Sequence, residues 1–219
     1  RVGSSELLLR PGELIRVAVD RGTGLPEVPS LSSILGLLKL NSPSSGSNGF
    51  TFNSDGFSST NIAWEAPDSA TIFDATLYFR YIEYPISNPA EQELKIIAWP
   101  WARGLRRESS NNKFSAEKVG LEFYQLLKNS IEVNPDVKRI FNGIDIEIIA
   151  GNSTVENLVN VSLANTGITA SQEIPAYNNL SEGQGIFGSV VKFRRFGVGI
   201  NDKTRDTLKM GYLTKNLNF

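Results

Sequence analysis

The chain has 219 residues and a formal net charge of −1, and it contains neither cysteine nor histidine. That length allows one large β domain, or one domain plus part of another, with enough chain to bury a core unaided by disulfides. The missing residue types exclude Ser-His-Asp triads, Cys-His pairs, HExxH zinc sites and cysteine-ligated zinc, while the balanced charge gives no overall attraction to nucleic acid or anionic lipid.

No run reaches the roughly 18 apolar residues of a membrane span. The first residue is Arg1 rather than Met. This suggests a processed or trimmed chain whose upstream segment carried an export signal or lipid anchor.

Residues 13–20, ELIRVAVD, alternate as a strand, and the glycines of RGTG at 21–24 follow as a tight turn. They read as the last hairpin of an N-terminal immunoglobulin-like or transthyretin-like domain, or else as an edge of the main sheet. Residues 31–40, LSSILGLLKL, place Leu31, Ile34, Leu35 and Leu38 at helical spacing, but Gly36 and the short length favour a buried connecting segment. Residues 1–40 thus form the first unit, NSPSSGSNG at 41–49 a linker, and 50–219 the main domain.

Short strands are expected at 49–53 and 60–64, then a turn, EAPDSA, at 65–70. The plainest element is TIFDATLYFRYIEY at 71–84. Phe73, Ala75, Leu77, Phe79 and Tyr81 share one face while Asp74, Thr76 and Arg80 share the other, so it reads as a central strand with 93–99 as its antiparallel neighbour. The run from Trp64 through a proline turn to this strand resembles the B to C region of fibronectin type III modules.

A helix is predicted over 115–129, capped by Ser115, with Val119, Phe123, Leu126 and Leu127 as its apolar stripe. Gly120 inside it costs about 1 kcal/mol relative to Ala, which calls for a close neighbour. Strands are expected at 143–151 and 157–164, and a glycine-interrupted β segment at 185–200. A short helix over 204–210 follows, capped by Asn201 or Asp202. The class is mainly β: an immunoglobulin/fibronectin-like β-sandwich with one packed α-helix at 115–129.

Gly183 to Gly188 spell GxGxxG, but a polar loop precedes them and a strand-like segment follows. A phosphate cradle needs strand, glycines and helix in that order, so no nucleotide cofactor is expected. Two aromatic-basic clusters stand out: Trp99 and Trp101 with Arg103, Arg106 and Arg107, and Lys192 to Phe196. Asp145 and Glu147 share a strand face and read as outward, solvated positions rather than an acid/base pair. Asn152, Asn160 and Asn179 head N-glycosylation sequons.

The order of TNIAW, DATLYFRYIEY, a strand ending in Trp99, GLEFYQLLKNSI, KRIFNGIDIEIIAG, VNVSLANTGITASQEIPAYNNL and EGQGIFGS resembles the uncharacterised exported outer-membrane lipoproteins of Bacteroidota, over roughly residues 60–189. The resemblance implies a signal peptide and lipidated cysteine upstream and a place at the bacterial outer membrane. It also implies association with TonB-dependent receptors or other large outer-membrane complexes, and no enzymatic activity. The lipidated cysteine and the N-terminal domain usual in that family are not in this sequence. Asp68-Ser69-Ala70 and Asp206-Thr207-Leu208 match the pattern of O-glycosylation in that phylum.

The expected function is therefore a non-enzymatic accessory subunit or binding module docking on an outer-membrane protein complex. Trp99, Trp101, Arg103, Arg106 and Arg107 are the first candidate contacts, and Tyr177 and Phe187 the second. The alternatives are an adhesin or pilus-like protein assembling through an exposed strand edge, and a glycan-binding or glycan-cleaving domain using the two tryptophans and the carboxylates.

Overall fold

The computed structural model describes residues 9–165 and 176–219, so residues 1–8 of the first expected unit and 166–175 of the family resemblance lie outside it. In chain order the strands are β1 (Leu14–Val19), β2 (Val28–Ser33), β3 (Lys39–Ser42), β4 (Ser59–Glu65), β5 (Ile72–Pro85), β6 (Glu93–Arg106) and β7 (Lys113–Val119). Helix α1 (Gly120–Ser130), β8 (Val137–Gly151), α2 (Ser153–Asn165), β9 (Val190–Val198) and α3 (Asp202–Met210) complete the series, with a short 3-10 turn, Lys215–Leu217, near the C-terminus.

The alternation in β5 has the expected result. Its apolar residues Phe73, Ala75, Leu77, Phe79 and Tyr81 are buried, and it lies between β6 and β8 in a four-stranded antiparallel sheet of order β6-β5-β8-β9. A second sheet, β3-β4-β7, contributes the other wall of the core, and β1-β2 form a separate ribbon. The fold is mainly β, a sandwich with few helices.

Trp64 of β4 stacks on Phe114 of β7 with centroids 6.0 Å apart, and Phe114 lies 4.2 Å from Phe73 of the facing sheet. Phe52, Phe79, Trp99, Trp101 and Phe123 continue this aromatic core.

Three elements differ from the sequence expectation: the helix start, residues 157–164 and residues 49–53. The helix begins at Gly120, because residues 113–119 pair with β4 from Ser59↔Val119 to Glu65↔Lys113 and turn Phe114 inward. Ser115 is therefore a strand residue, not a cap. The first turn of α1 is instead closed by Glu122, whose carboxylate accepts from the Val119 N–H at 3.3 Å. The buried stripe is Phe123, Tyr124 and Leu127, with Leu126 only partly covered.

Residues 157–164, expected as a strand, belong to helix α2. The side-chain oxygen of Asn152, just before this helix, accepts from the Val155 N–H at 3.3 Å, and the Glu156 N–H donates to the Asn152 carbonyl. The helix is thus nucleated by the residue that also heads a sequon, and Asn152 is buried.

The expected close neighbour of Gly120 is the backbone of residues 52 and 53: a Cβ there would lie 2.4 Å from both the N and the O of Asn53. Residues 49–53 form no strand, only a bridge from Phe50 to Ile200. The Phe50 N–H donates to the Gly199 carbonyl and the Phe52 N–H to Thr204 Oγ1, both at 2.9 Å. Gly49, at φ +83°, has room for no side chain, since a Cβ would sit 2.0 Å from the Gly199 oxygen.

Residues 34–38 join β2 to β3 with Leu35 and Leu38 buried. The following serine-rich loop is tied to β9 by Arg195, which donates to the carbonyls of Pro43 at 2.6 Å and Ser44 at 3.1 Å.

Near the C-terminus, Arg139 is almost wholly enclosed. It donates to Glu83 (2.7 Å), the Leu217 carbonyl (2.7 Å) and the Glu132 carbonyl (3.0 Å). Among the described residues no helix is long and apolar enough to cross a membrane.

Candidate functional site: the open face of the four-stranded sheet

One face of β6-β5-β8-β9 covers the core, so by the two-residue period of a strand the alternate side chains point away from it. On β5 these are Asp74, Thr76, Tyr78 and Arg80, and on β8 they are Asp145 and Glu147. The register sets Tyr78 opposite Asp145, Thr76 opposite Glu147, and Glu147 opposite Arg194 of β9. Opposite charges thus meet across strands, the arrangement in which side-chain pairs in a sheet reinforce one another.

Asp145 and Glu147 are not the solvated positions expected from sequence. Glu147 is only 6 % exposed and holds Arg194 in a tight ion pair, Lys192 Nζ at 3.3 Å and the Tyr78 hydroxyl at 3.3 Å. Burial alone would raise the Glu147 carboxyl, but hydrogen bonds and charge from Arg194 and Lys192 outweigh it and hold the group below the ordinary value. Burial, with the adjacent Glu147 charge, pushes the Tyr78 phenol up. Asp145 takes Arg80 Nη1 on both oxygens, at 3.1 and 3.2 Å, and the Gly197 N–H at 2.8 Å.

This paired row is bordered by uncovered apolar side chains. Ile96 is 56 % exposed and Phe196 65 %, with Leu94 and Ile140 also open. Tyr78, Ile96, Glu147, Arg194 and Phe196 surround a depression of about 230 Å³. Among the described residues no group of three or more acidic side chains is placed to hold a metal ion.

The candidate contacts chosen from sequence do not come together. Trp99 and Trp101 are core residues, 7 % and 4 % exposed, and Trp101 Nε1 donates to the Ala116 carbonyl at 2.8 Å, so neither is a surface anchor. Their inward direction follows from their phase with Ile97 on β6.

Arg107 is a brace rather than a contact. It donates to the carbonyls of Ala70, Pro67 and Asn111 and lies 5.0 Å above the Phe114 ring. Arg103 pairs with Asp74 at 3.0 Å, and Arg106 reaches Glu156 at 3.7 Å and Asn160 on α2.

Tyr177 and Phe187 lie in the loop before β9. Tyr177 accepts from Asn157 at 3.4 Å, and the Phe187 backbone exchanges two 2.8 Å bonds with the Asn179 side chain. Gly183 and Gly185 of the GxGxxG run are wrapped by Asn178 and lead into strand β9, not a helix.

Sequence reasoning missed Tyr78 and Arg80 and placed Lys192 and Arg194 in a different cluster. The available signal was charge at every second position, Asp145 and Glu147 in one strand and Lys192 and Arg194 in another. No family model, curated protein or solved structure matches this chain.

Proposed function

We propose that this chain is a non-enzymatic docking module of a bacterial outer-membrane protein complex, and that it makes contact through the open face of the four-stranded sheet. The observation that carries the reading is the composition of that face: exposed Leu94, Ile96, Ile140 and Phe196 around charges that are already paired within the chain. Such a surface offers apolar area to a partner without stripping unpaired charges of water, as interface centres require. The outer-membrane setting, a lipid anchor upstream and a TonB-dependent receptor as the type of partner rest on the family resemblance.

The glycan-cleaving alternative is weakened by the same charges. A general acid needs a carboxyl held above its ordinary value, whereas Glu147 is held below it. The strand-assembly alternative keeps one supporting observation: among the described residues β1 pairs only with β2, and it exposes Leu14, Val17 and Val19.

The test is affinity purification from membranes followed by mass spectrometry, with the double variant Ile96→Asp and Phe196→Asp beside the parent. We expect one stoichiometric membrane partner, its association weakened by about 2 kcal/mol or more in the variant. Trp101→Ala is unsuitable, because it opens the core. Self-polymerisation, or a soluble monomer whose hydrolase activity is lost in Glu147→Gln, overturns the proposal.

A further inference from the structure

A second depression lies at the other end of the open face, where α2 rests against the sheet. Val155, Val159 and Leu163, spaced by four along α2, form one wall, and Ile72, Ile149 and Val190 of three strands form the other. An apolar helical stripe normally closes onto the surface it faces. Here a groove of about 400 Å³ remains between the two walls. That volume falls within the roughly 300–1,000 Å³ of small-molecule sites, which are likewise apolar with a few placed polar groups.

The polar groups are supplied by a bulge. Pairing between β5 and β6 slips at Phe73 and Ala75, leaving Asp74 without a partner residue on β6, and Gly104 takes φ +59°. Through this bend the Gly104 N–H reaches Asp74 Oδ1 at 2.7 Å and Arg103 Nη1 reaches Asp74 Oδ2 at 3.0 Å. Asp74, Arg103 and Gly104 all line the groove. Asp74 is thereby satisfied on both oxygens. Arg103 spends one nitrogen on it and leaves its Nε and Nη2 donors unengaged among the described residues. Bulges often re-aim a side chain beside a functional site.

We propose that this groove binds one aliphatic carboxylate, taken up as a free amphiphile, with the chain between α2 and the sheet and the carboxylate on Arg103. The shape favours a linear chain. From Val155 to Leu163 the wall runs eight residues, about 12 Å at 1.5 Å per residue, with polar side chains only in the Asp74–Arg103 pair. A guanidinium with open donors recognises a carboxylate in preference to a neutral head. A diacyl lipid brings two chains to a groove whose lining supplies one cation, Arg103.

The test is calorimetric titration of the protein with octanoate, decanoate and dodecanoate below their micellar concentrations, with dodecanol as the uncharged control and phosphatidylcholine vesicles as the lipid control. Saturable binding of one equivalent is expected, tightening about fourfold per methylene until the chain outgrows the groove. Val159→Phe, which fills the slot, weakens dodecanoate tenfold or more. Val190→Phe, at an exposed strand position, does the same from the opposite wall and serves if the helix variant unfolds. Arg103→Gln weakens dodecanoate but leaves dodecanol unchanged. The proposal is overturned by absence of saturable binding, by equal affinity in folded Val159→Phe or Val190→Phe, or by association with vesicles alone.

Discussion

Gly120→Ala isolates the contact on which the docking of α1 depends. Gly120 is the first residue of α1, so the advantage of alanine over glycine there is at most about 1 kcal/mol, the value of a helix interior. Here the added methyl would lie 2.4 Å from the Asn53 N and O and 3.1 Å from the Phe52 carbonyl carbon, all of them backbone atoms that no rotamer change can move aside.

That backbone is itself held on several sides. The Phe52 N–H donates to Thr204 Oγ1 at 2.9 Å, the Phe52 carbonyl accepts from the Tyr124 hydroxyl at 2.8 Å, and the Phe52 ring stacks on Phe123 at 4.2 Å. Relief therefore means moving the segment and loosening two buried hydrogen bonds, each worth about 1 kcal/mol, in addition to the 1–3 kcal/mol typical of overpacking. After subtracting the propensity gain, the expected net loss is about 2–4 kcal/mol. Urea unfolding followed by tryptophan fluorescence measures it directly. A variant as stable as the parent, or more so, refutes the packing argument.

Two further outcomes follow from buried and capped charges. Arg139→Met strands Glu83 and the carbonyls of Leu217 and Glu132, and because Glu83 keeps some solvent the loss lies near the lower end of the range for breaking a buried pair, about 3 kcal/mol by urea unfolding. Asp55 accepts from the Ser58 hydroxyl, the Ser58 N–H and the Phe57 N–H, which lower its pKa from 3.8 to about 2. A depressed folded-state pKa stabilises above the unfolded value, and that contribution fades as pH falls from about 4 through about 2. The melting-temperature advantage of the parent over Asp55→Asn should therefore shrink across that window, and a constant gap would contradict it.

The central strand was legible because Phe73 to Tyr81 follow a single period without interruption. Helix α2 was not, because its apolar residues satisfy two periods at once: Val159, Val161 and Leu163 repeat by two, and Val155, Val159 and Leu163 by four. The Asn152 cap decides between them, although the same short motif spells a glycosylation sequon. In residues 115–119 tertiary pairing prevails over local pattern, since Trp64 and Phe73 draw Phe114 into the core.

Three nearby arginines suggest an exposed surface for the tryptophans, but Ile97, Trp99 and Trp101 share one strand phase and that phase faces the core. The charged row at the candidate site depends on register between strands β8 and β9, more than forty residues apart at Glu147 and Arg194. No local pattern encodes that register.

The fastening of residues 50–52 also has a consequence for how the chain is made. The bond from Phe52 to Thr204 spans 152 positions, and the bridge from Phe50 to Ile200 spans a similar stretch. Synthesis delivers the two phenylalanines long before the partners that hold their backbone, and closing so long a loop is an entropically costly, late event. The two rings, which stack 5.4 Å apart, gain Trp99, Trp101 and Phe123 as neighbours once those residues are made, but the N–H groups of Phe50 and Phe52 stay unfastened until residues 199–204 follow. The early aromatic segment therefore reaches its final setting only after residues 199–204 have been made, which makes its locking a late step of folding.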